Sequence, residues 1–335
     1  MFSYCSIITR HTIKLIRSGR MQFQWLVIGA GPDAVQTVER IRRRSRTRGQ
    51  KIVGFVALPG QIPHPDATPL FTTNDICQLC TQHNIHDILL QPDKLDAEYQ
   101  PLLDSLYPLG HNIYVSPEAI PFAGAVHYID DIVGEPLVNI NRSPMSPFTS
   151  NVKRTVDVVC SLMALIILSP VLICLALAVS LTSPGGAIYS QQRLGLHGRP
   201  FTIFKFRTMS ADAEASSGPA LSAANDPRIT PIGRIMRKYR LDELPQLWNV
   251  LRGDMSMVGP RPERQFFASS IIAKAPAYGR LTSVRPGLTS WGMVKYGYAS
   301  NVDQMIEPMR YDLLYVENAS LLIDMKIMIY TIRTI

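Results

Sequence analysis

Two adjacent carboxylates, Asp242 and Glu243, sit inside the stretch RKYRLDELPQLWNVLRGDMSMVGPRP, which starts at Arg237. Arg237, Lys238 and Arg240 precede them and Arg261 follows. An Asp at a helix N-terminus among arginines is expected to stay ionised, and is then a nucleophile able to attack phosphorus. Its approach to a phosphate sets like charges together, at a cost of about 4 kcal/mol per unit pair at 4 Å in an effective dielectric near 20. A clamp of cations or a metal must offset that repulsion. Lys205 and Arg207 in KFRTM, Arg237, and Arg261 in VGPRP are the candidate phosphate-binding cations. Magnesium, which favours oxygen ligands and phosphate, is the metal such a pair suits, with Asp242 and Glu243 as its protein ligands. A plainer reading is also open: Asp242 as a helix cap and Glu243 as a first-turn partner of the helix dipole.

The elements that must position this pair are legible around it. Leu244, Leu247, Trp248 and Leu251 follow helical spacing, Pro245 suits only a first turn, and Gly253 is a terminator. Upstream, Thr230 is placed as an N-cap and Pro231 as the first helical residue. Ile232, Ile235, Met236 and Tyr239 then share one face, with Arg234, Arg237, Lys238 and Arg240 elsewhere. That is a basic amphipathic helix of the kind that lies on lipid headgroups. IYSQQRLGLHGRPFTIFKFRTM alternates like a hairpin around Gly195 to Pro200, and SADAEASSGPALSAAND has the composition of a loop.

Further upstream, Val158 to Leu181 carries no charge. As one straight helix it would be about 36 Å long at 1.5 Å per residue, enough to cross a bilayer core. Pro170, near its middle, lacks the N–H that would bond the Ile166 carbonyl, so a bend is expected there, with the Ser169 hydroxyl satisfying the freed groups. Lys153 and Arg154 precede the segment, and Arg193, Arg199, Lys205 and Arg207 follow it. Neither flank is poor in positive charge, which favours a re-entrant hairpin over residues 156–181 with both ends cytosolic.

From Gln24 to Pro117 the chain alternates apolar runs such as WLVIGAG, KIVGFVAL, DILLQP and NIYVSP with helix-length segments. That pattern predicts a Rossmann-like parallel sheet over residues 23–135. Gly29, Gly31 and Ala34 satisfy G-x-G-x-x-A, but the second strand ends FVALPG, without the acidic residue that holds a ribose. Ordinary dinucleotide binding is therefore not expected. Cys77, Cys80, His83 and His86 are spaced so that they drift around a helix rather than converge on a metal. Residues 1–22 form a basic tail, and the Pro-, Ser- and Asn-rich residues 136–152 are read as a linker.

With 335 residues the chain is long enough for two domains, and its net charge of +8 favours an anionic partner. Five scattered cysteines do not make a disulfide framework.

In order, the K-R-x-x-D of Lys153 to Asp157, the charge-free helix with its central Ser-Pro, KFRTM, LDELPQLWNVLRGDMSMVGPRP and RPGLTSWGMVKY resemble the bacterial sugar transferases, the polyprenyl-phosphate phosphoglycosyl transferases of monotopic topology. The resemblance covers residues 153–335 and implies a mostly helical α/β catalytic domain following the Rossmann-like one. It implies transfer of a sugar 1-phosphate from a UDP-sugar to undecaprenyl phosphate through a covalent aspartyl-phosphosugar, which initiates lipid-linked polysaccharide synthesis. In that scheme Asp242 is the nucleophile, Glu243 assists in metal or proton handling, and Lys205 and Arg261 contact phosphate or nucleotide. Arg285 lies near the nucleotide, and Ser169 and Pro170 make the membrane bend. The implied partners are the UDP-sugar, undecaprenyl phosphate and the membrane, not nucleic acid, with a homo-oligomer left open. The implied place is the cytosolic face of the bacterial inner membrane. Larger relatives carry transmembrane helices before the sheet domain, and residues 1–20 resemble the cytosolic exit of such a helix. Two other classes compete: a nicotinamide-dependent sugar-nucleotide epimerase or dehydratase, resting on Gly29 to Ala34, and a non-catalytic membrane-bound ligand sensor, against which the Asp242–Glu243 pair counts.

Overall fold

A computed structural model of the chain describes residues 14–16, 18, 20–45, 49–72, 76–92, 99–116, 129–132, 135–140, 145–182, 185–210, 226–297 and 301–334. The basic tail lies mostly outside these, as does nearly all of the loop read over residues 210–226. The chain divides into two compact units, residues 1–142 and 143–335.

The first unit runs β1 (Phe23–Ile28), α1 (Pro32–Ser45), β2 (Gln50–Val56), β3 (Leu70–Phe71), α2 (Ile76–Gln82), β4 (Asp87–Leu90), α3 (Gln100–Leu106), β5 (Asn112–Val115), β6 (Ile129–Ile132) and β7 (Glu135–Asn139). The strand order is β3-β2-β1-β4-β5-β7-β6, parallel through β5 and antiparallel beyond it. Its strands read as unbroken apolar runs because helices cover both faces. Leu26, Ile28, Ile88 and Leu90 pack with Leu79 of α2 and Leu103 of α3. Trp25, Val27 and Leu89, one residue out of phase, pack with Val38 and Ile41 of α1. This is the mixed α/β arrangement with a parallel sheet that the pattern predicts.

The boundary between the two units falls within residues 136–152, the stretch read as a linker, but both ends of that stretch belong to regular elements. Pro136 to Asn139 belong to β7, whose Leu137 and Val138 are buried, and Pro147 to Val152 open a long helix. The turn-forming composition concealed two apolar side chains that point to opposite faces of the sheet.

Gly29 has a φ of 120°, and a Cβ there would collide with the Gln91 carbonyl. The Ala30 N–H donates to Gln61 Oε1 at 2.8 Å, and the His64 N–H donates to the Ala30 carbonyl at 2.7 Å. Close approach of the chain to itself therefore accounts for that glycine without a ligand.

The second unit opens with α4 (Pro147–Ile167), capped by the Ser146 hydroxyl, which accepts from the Thr149 N–H at 3.1 Å. A break at Leu168 leads into α5 (Ser169–Thr182), bent by 63° from α4. Ser169 Oγ donates to the Ile166 carbonyl at 2.8 Å, the acceptor that Pro170 cannot serve. Among the described residues no single helix is long and apolar enough to cross a membrane, although the bent pair together is. The bend expected at Pro170 within residues 156–181 is present as a break between two helices, and the first of them begins nine residues earlier than expected, at Pro147. Met163, Ile166, Ile167, Ile173, Leu177 and Leu181 of the pair are exposed.

Next come β8 (Ile188–Leu194) and β9 (Pro200–Phe206), an antiparallel hairpin in which Lys205 faces Tyr189. They precede α6 (Pro231–Lys238), a 3₁₀ turn at Leu241–Glu243, α7 (Gln246–Arg252), and β10 (Ser256–Val258), which pairs in parallel with β11 (Gly287–Thr289). Between those two strands lies α8 (Gln265–Lys274), and after them α9 (Trp291–Tyr296), α10 (Val302–Asn318) and α11 (Leu321–Thr334). The foot of α4 is tied to this scaffold by charge. Lys153 Nζ reaches Asp324 Oδ2 at 2.6 Å, Asp157 Oδ2 accepts from Ser256 Oγ at 2.7 Å, and Arg154 donates to the carbonyls of Val250 and Leu251 at 2.7 and 2.9 Å. The last contact closes the C-terminal end of α7, where carbonyls lack helical partners.

Candidate active site

Arg240 adopts a left-handed φ of 52°, which turns the chain out of α6 and starts the 3₁₀ turn that holds Asp242 and Glu243. Pro245, not Asp242, occupies the N-cap position of α7, and Gly253 ends that helix with a φ of 97°. Asp242 is therefore not the cap of this helix. Both carboxylates are buried, at 9% and 6% exposure, on the inward side of the segment, while Trp248 faces out.

Lys205 reaches this turn from the end of β9, and Asn249 fixes the strand there. Its Oδ1 accepts from the Phe204 N–H at 3.1 Å, and its Nδ2 donates to the Thr202 carbonyl at 2.7 Å. Lys205 Nζ lies 2.8 Å from Glu243 Oε1, and Arg261 Nη1 lies 3.8 Å from the same oxygen. Arg261 Nε is 3.7 Å from Glu263 Oε1, and Arg193 Nη1 is 3.2 Å from Glu263 Oε2. Charges of alternating sign thus run Lys205, Glu243, Arg261, Glu263, Arg193. Arg237 approaches from α6, its Nε donating to Thr208 Oγ1 at 2.9 Å, close enough for its charge to act on Asp242.

The environment pushes the two carboxyls apart. Burial raises Glu243, but Lys205 and then Arg261 outweigh it and hold the group down at about 2. Burial also raises Asp242, and the neighbouring Glu243 charge adds to the rise, while Lys205 and Arg237 pull the other way without cancelling it. The expectation from sequence is that N–H donors and arginines favour the ionised Asp242; the lowering such cations produce outweighs burial at Glu243 but not at Asp242. Desolvation is the reason. Among the described residues Lys205 and Arg261 pair with Glu243, and Asp242 has no ion pair. Lys205 is itself lowered by burial, against the pull of Glu243.

Lys205, Arg237 and Arg261 are brought together with the carboxylates; Arg207 and Arg285 are placed elsewhere. Arg207 Nε and Nη2 donate to the carbonyls of Gly186 and Gly185 at 3.0 and 2.6 Å, holding the turn before β8. Arg285 Nε donates to the Gly253 carbonyl at 3.0 Å, at the end of α7 opposite the Asp242 turn. Ser169 and Pro170 lie at the bend of the helix pair.

Asn249, Asp312 and Met293 were not singled out in the sequence, and Arg193 only as a charge flanking the apolar segment, yet they hold the site's elements in place. Asn249 leaves a signal, a polar residue set between Trp248 and Val250 in the sequence, and it is 0% exposed. The others act across 20 residues or more of chain, and no local pattern marks them.

No group of three or more His, Cys, Asp or Glu able to hold a metal occurs among the described residues. Asp242 and Glu243 offer two carboxylates, a donor set that fits magnesium when phosphate oxygens and water complete the shell.

Residues 148–335 match the family model described as bacterial sugar transferase. The chain belongs to the bacterial sugar transferase family. Within that family it is 39% identical over 190 residues to a UDP-N-acetylgalactosamine-undecaprenyl-phosphate N-acetylgalactosaminephosphotransferase of Aeromonas hydrophila, covering 57% of this chain and 45% of that one. It is 33% identical over 251 residues to a UDP-glucose:undecaprenyl-phosphate glucose-1-phosphate transferase of Escherichia coli (strain K12), covering 74% and 54%. An undecaprenyl-phosphate glucose phosphotransferase of Komagataeibacter xylinus aligns over 339 residues at 30% identity, covering 96% and 60%. The chain therefore spans about half the length of these sugar transferases.

Proposed function

We propose that this sugar transferase moves a sugar 1-phosphate from a UDP-sugar to undecaprenyl phosphate by two displacements through Asp242. One observation carries the reading. Glu243 takes the ion pairs of Lys205 and Arg261, while Asp242 stays buried beside the same cations with its carboxylate unpaired among the described residues. A carboxylate so placed is desolvated, less acidic than its neighbour and close to positive charge, the combination a nucleophile toward a diphosphate needs. The names of the relatives in Aeromonas hydrophila and Escherichia coli, both acting from a UDP-sugar to undecaprenyl phosphate, support the donor and acceptor classes.

In the first displacement an Asp242 oxygen bonds to the sugar-proximal phosphorus, and the bond from that phosphorus to the bridging oxygen breaks, releasing UMP. In the second, an oxygen of undecaprenyl phosphate attacks the same phosphorus and the Asp242 oxygen leaves, restoring the carboxylate. Lys205 and Arg261 hold Glu243 and offer donors to the diphosphate. Arg237, on the other side, offsets the charge that gathers on Asp242. Magnesium, held by the two carboxylates and substrate phosphate oxygens, would supply further charge neutralisation.

The bent pair α4 and α5 is read as a re-entrant hairpin in the cytosolic leaflet of the bacterial inner membrane. The 63° bend, the Ser169 bond to the Ile166 carbonyl and the exposed apolar side chains on both arms support it. The foot of α4 is bound to β10 and α7, so such a hairpin would place the Asp242 turn near the headgroups, where a lipid phosphate resides. The direct test is release of UMP from a panel of UDP-sugars with and without undecaprenyl phosphate. Release from at least one sugar is expected, and none from any would refute the reading.

A further inference from the structure

Arg261 is fixed at both ends by one small unit that the chemistry above does not use. Its backbone N–H donates to Asp312 Oδ2 at 3.3 Å. The other oxygen, Asp312 Oδ1, accepts from the Gly292 N–H at 2.8 Å, in the first turn of α9. The next residue of that turn, Met293, receives the Arg261 guanidinium on its sulfur. Asp312 is 4% exposed on α10, and the α9 turn it grips is pressed against the same helix, where a Cβ on Gly292 would strike the Pro308 carbonyl. One carboxylate therefore joins the loop that carries Arg261 to the helix that receives its side chain, and the guanidinium between them stands 3.8 Å from Glu243.

We infer that Asp312 is the positioning residue of Arg261, setting the guanidinium on the Glu243 side of the site by holding the Val258–Pro262 loop and the α9 N-terminus in one register. The inference rests on the proposed function for its kinetic consequence but not for its geometry. A buried acid with two backbone donors is a common structural fastening, so loss of stability alone would not distinguish this role. What distinguishes it is that Asp312 acts through Arg261.

The test is a double-mutant cycle on the full chain. Asp312→Ala, Arg261→Ala and the double variant are compared by UMP release, alongside Asp312→Asn, which keeps the volume and one acceptor. A misplaced guanidinium should lower kcat/KM by about 10²-fold in Asp312→Ala. The double variant should fall within about twofold of Arg261→Ala, because a residue that acts only through another adds nothing once that other is gone. Losses that multiply would overturn the inference. A second arm needs no activity: the Arg261 side-chain Nε–H resonance, read by selective ¹⁵N-arginine labelling in wild type and in Asp312→Asn. A shift with retained folded-state circular dichroism supports the role, and an unchanged resonance overturns it. Should wild type release no UMP from any UDP-sugar, the functional reading fails and the resonance alone decides the inference.

Discussion

Lys205 Nζ and Glu243 Oε1 lie 2.8 Å apart, and both side chains are largely withdrawn from solvent, at 18% and 7% exposure. The pair joins the end of β9 to the turn before α7, while the adjacent Asp242 makes no ion pair among the described residues. A buried pair of this kind is costly to break from one side, because the remaining charge cannot recover its hydration.

Lys205→Met should therefore destabilise the folded chain by about 3 kcal/mol, and the double variant Lys205→Met/Glu243→Gln should recover most of that loss. Denaturant midpoints of the three proteins check this. Equal midpoints for the single variant and wild type would mean that the pair is a surface contact.

Stability should depend on pH in two opposed windows. Glu243, held at about 2 in the folded chain against an ordinary value of 4.5, contributes stability that is present above 4.5 and is lost as pH falls toward 2. Asp312 behaves oppositely. Burial lifts it to about 7 from 3.8, over the lowering effect of the Gly292 and Arg261 N–H groups. Its contribution is therefore full below 3.8 and is lost as pH rises through 7. Unfolding midpoints measured across pH should show Glu243→Gln flattening the acid limb and Asp312→Asn flattening the neutral one. Unchanged limbs would contradict these assignments.

In the proposed reaction a carboxylate and a diphosphate meet at the Asp242 turn, and two carboxylates beside phosphate oxygens suit magnesium, so removal of divalent metal should stop turnover. UMP release after chelation, then after readdition of magnesium, checks it. Full activity in the chelator would remove the metal from the scheme.

Topology can be read with single cysteines placed on the two flanks of the bent pair, Asn151→Cys or Ser190→Cys, in a chain with all five native cysteines replaced by Ser. A membrane-impermeant maleimide should reach both from the cytosolic side. Reaction from opposite sides would make the pair a kinked span.

How far the sequence carries depends on how local the cause is. The bend was legible because Pro170, Ser169 and the Ile166 carbonyl lie within one helical turn. The end of α7 was legible because Gly253 alone meets the left-handed requirement. The sheet followed from strand-length apolar runs, although β7 was lost behind Pro136. Arg207 reads as a phosphate cation because it stands in KFRTM, and Arg285 is set near the nucleotide by resemblance, whereas the partners they have here, the carbonyls of Gly186 and Gly253, are chosen by tertiary packing. Asp312 was invisible for the same reason, since it meets Arg261 51 residues earlier in the chain.

The central claim is that Asp242 bonds to phosphorus. Incubation of the full chain with a UDP-sugar carrying ³²P in the sugar-proximal phosphate, without undecaprenyl phosphate, should label the protein at the peptide that contains Asp242, and added undecaprenyl phosphate should chase the label into lipid. Asp242→Asn should take up none. Wild-type labelling or turnover in Asp242→Asn would contradict the account.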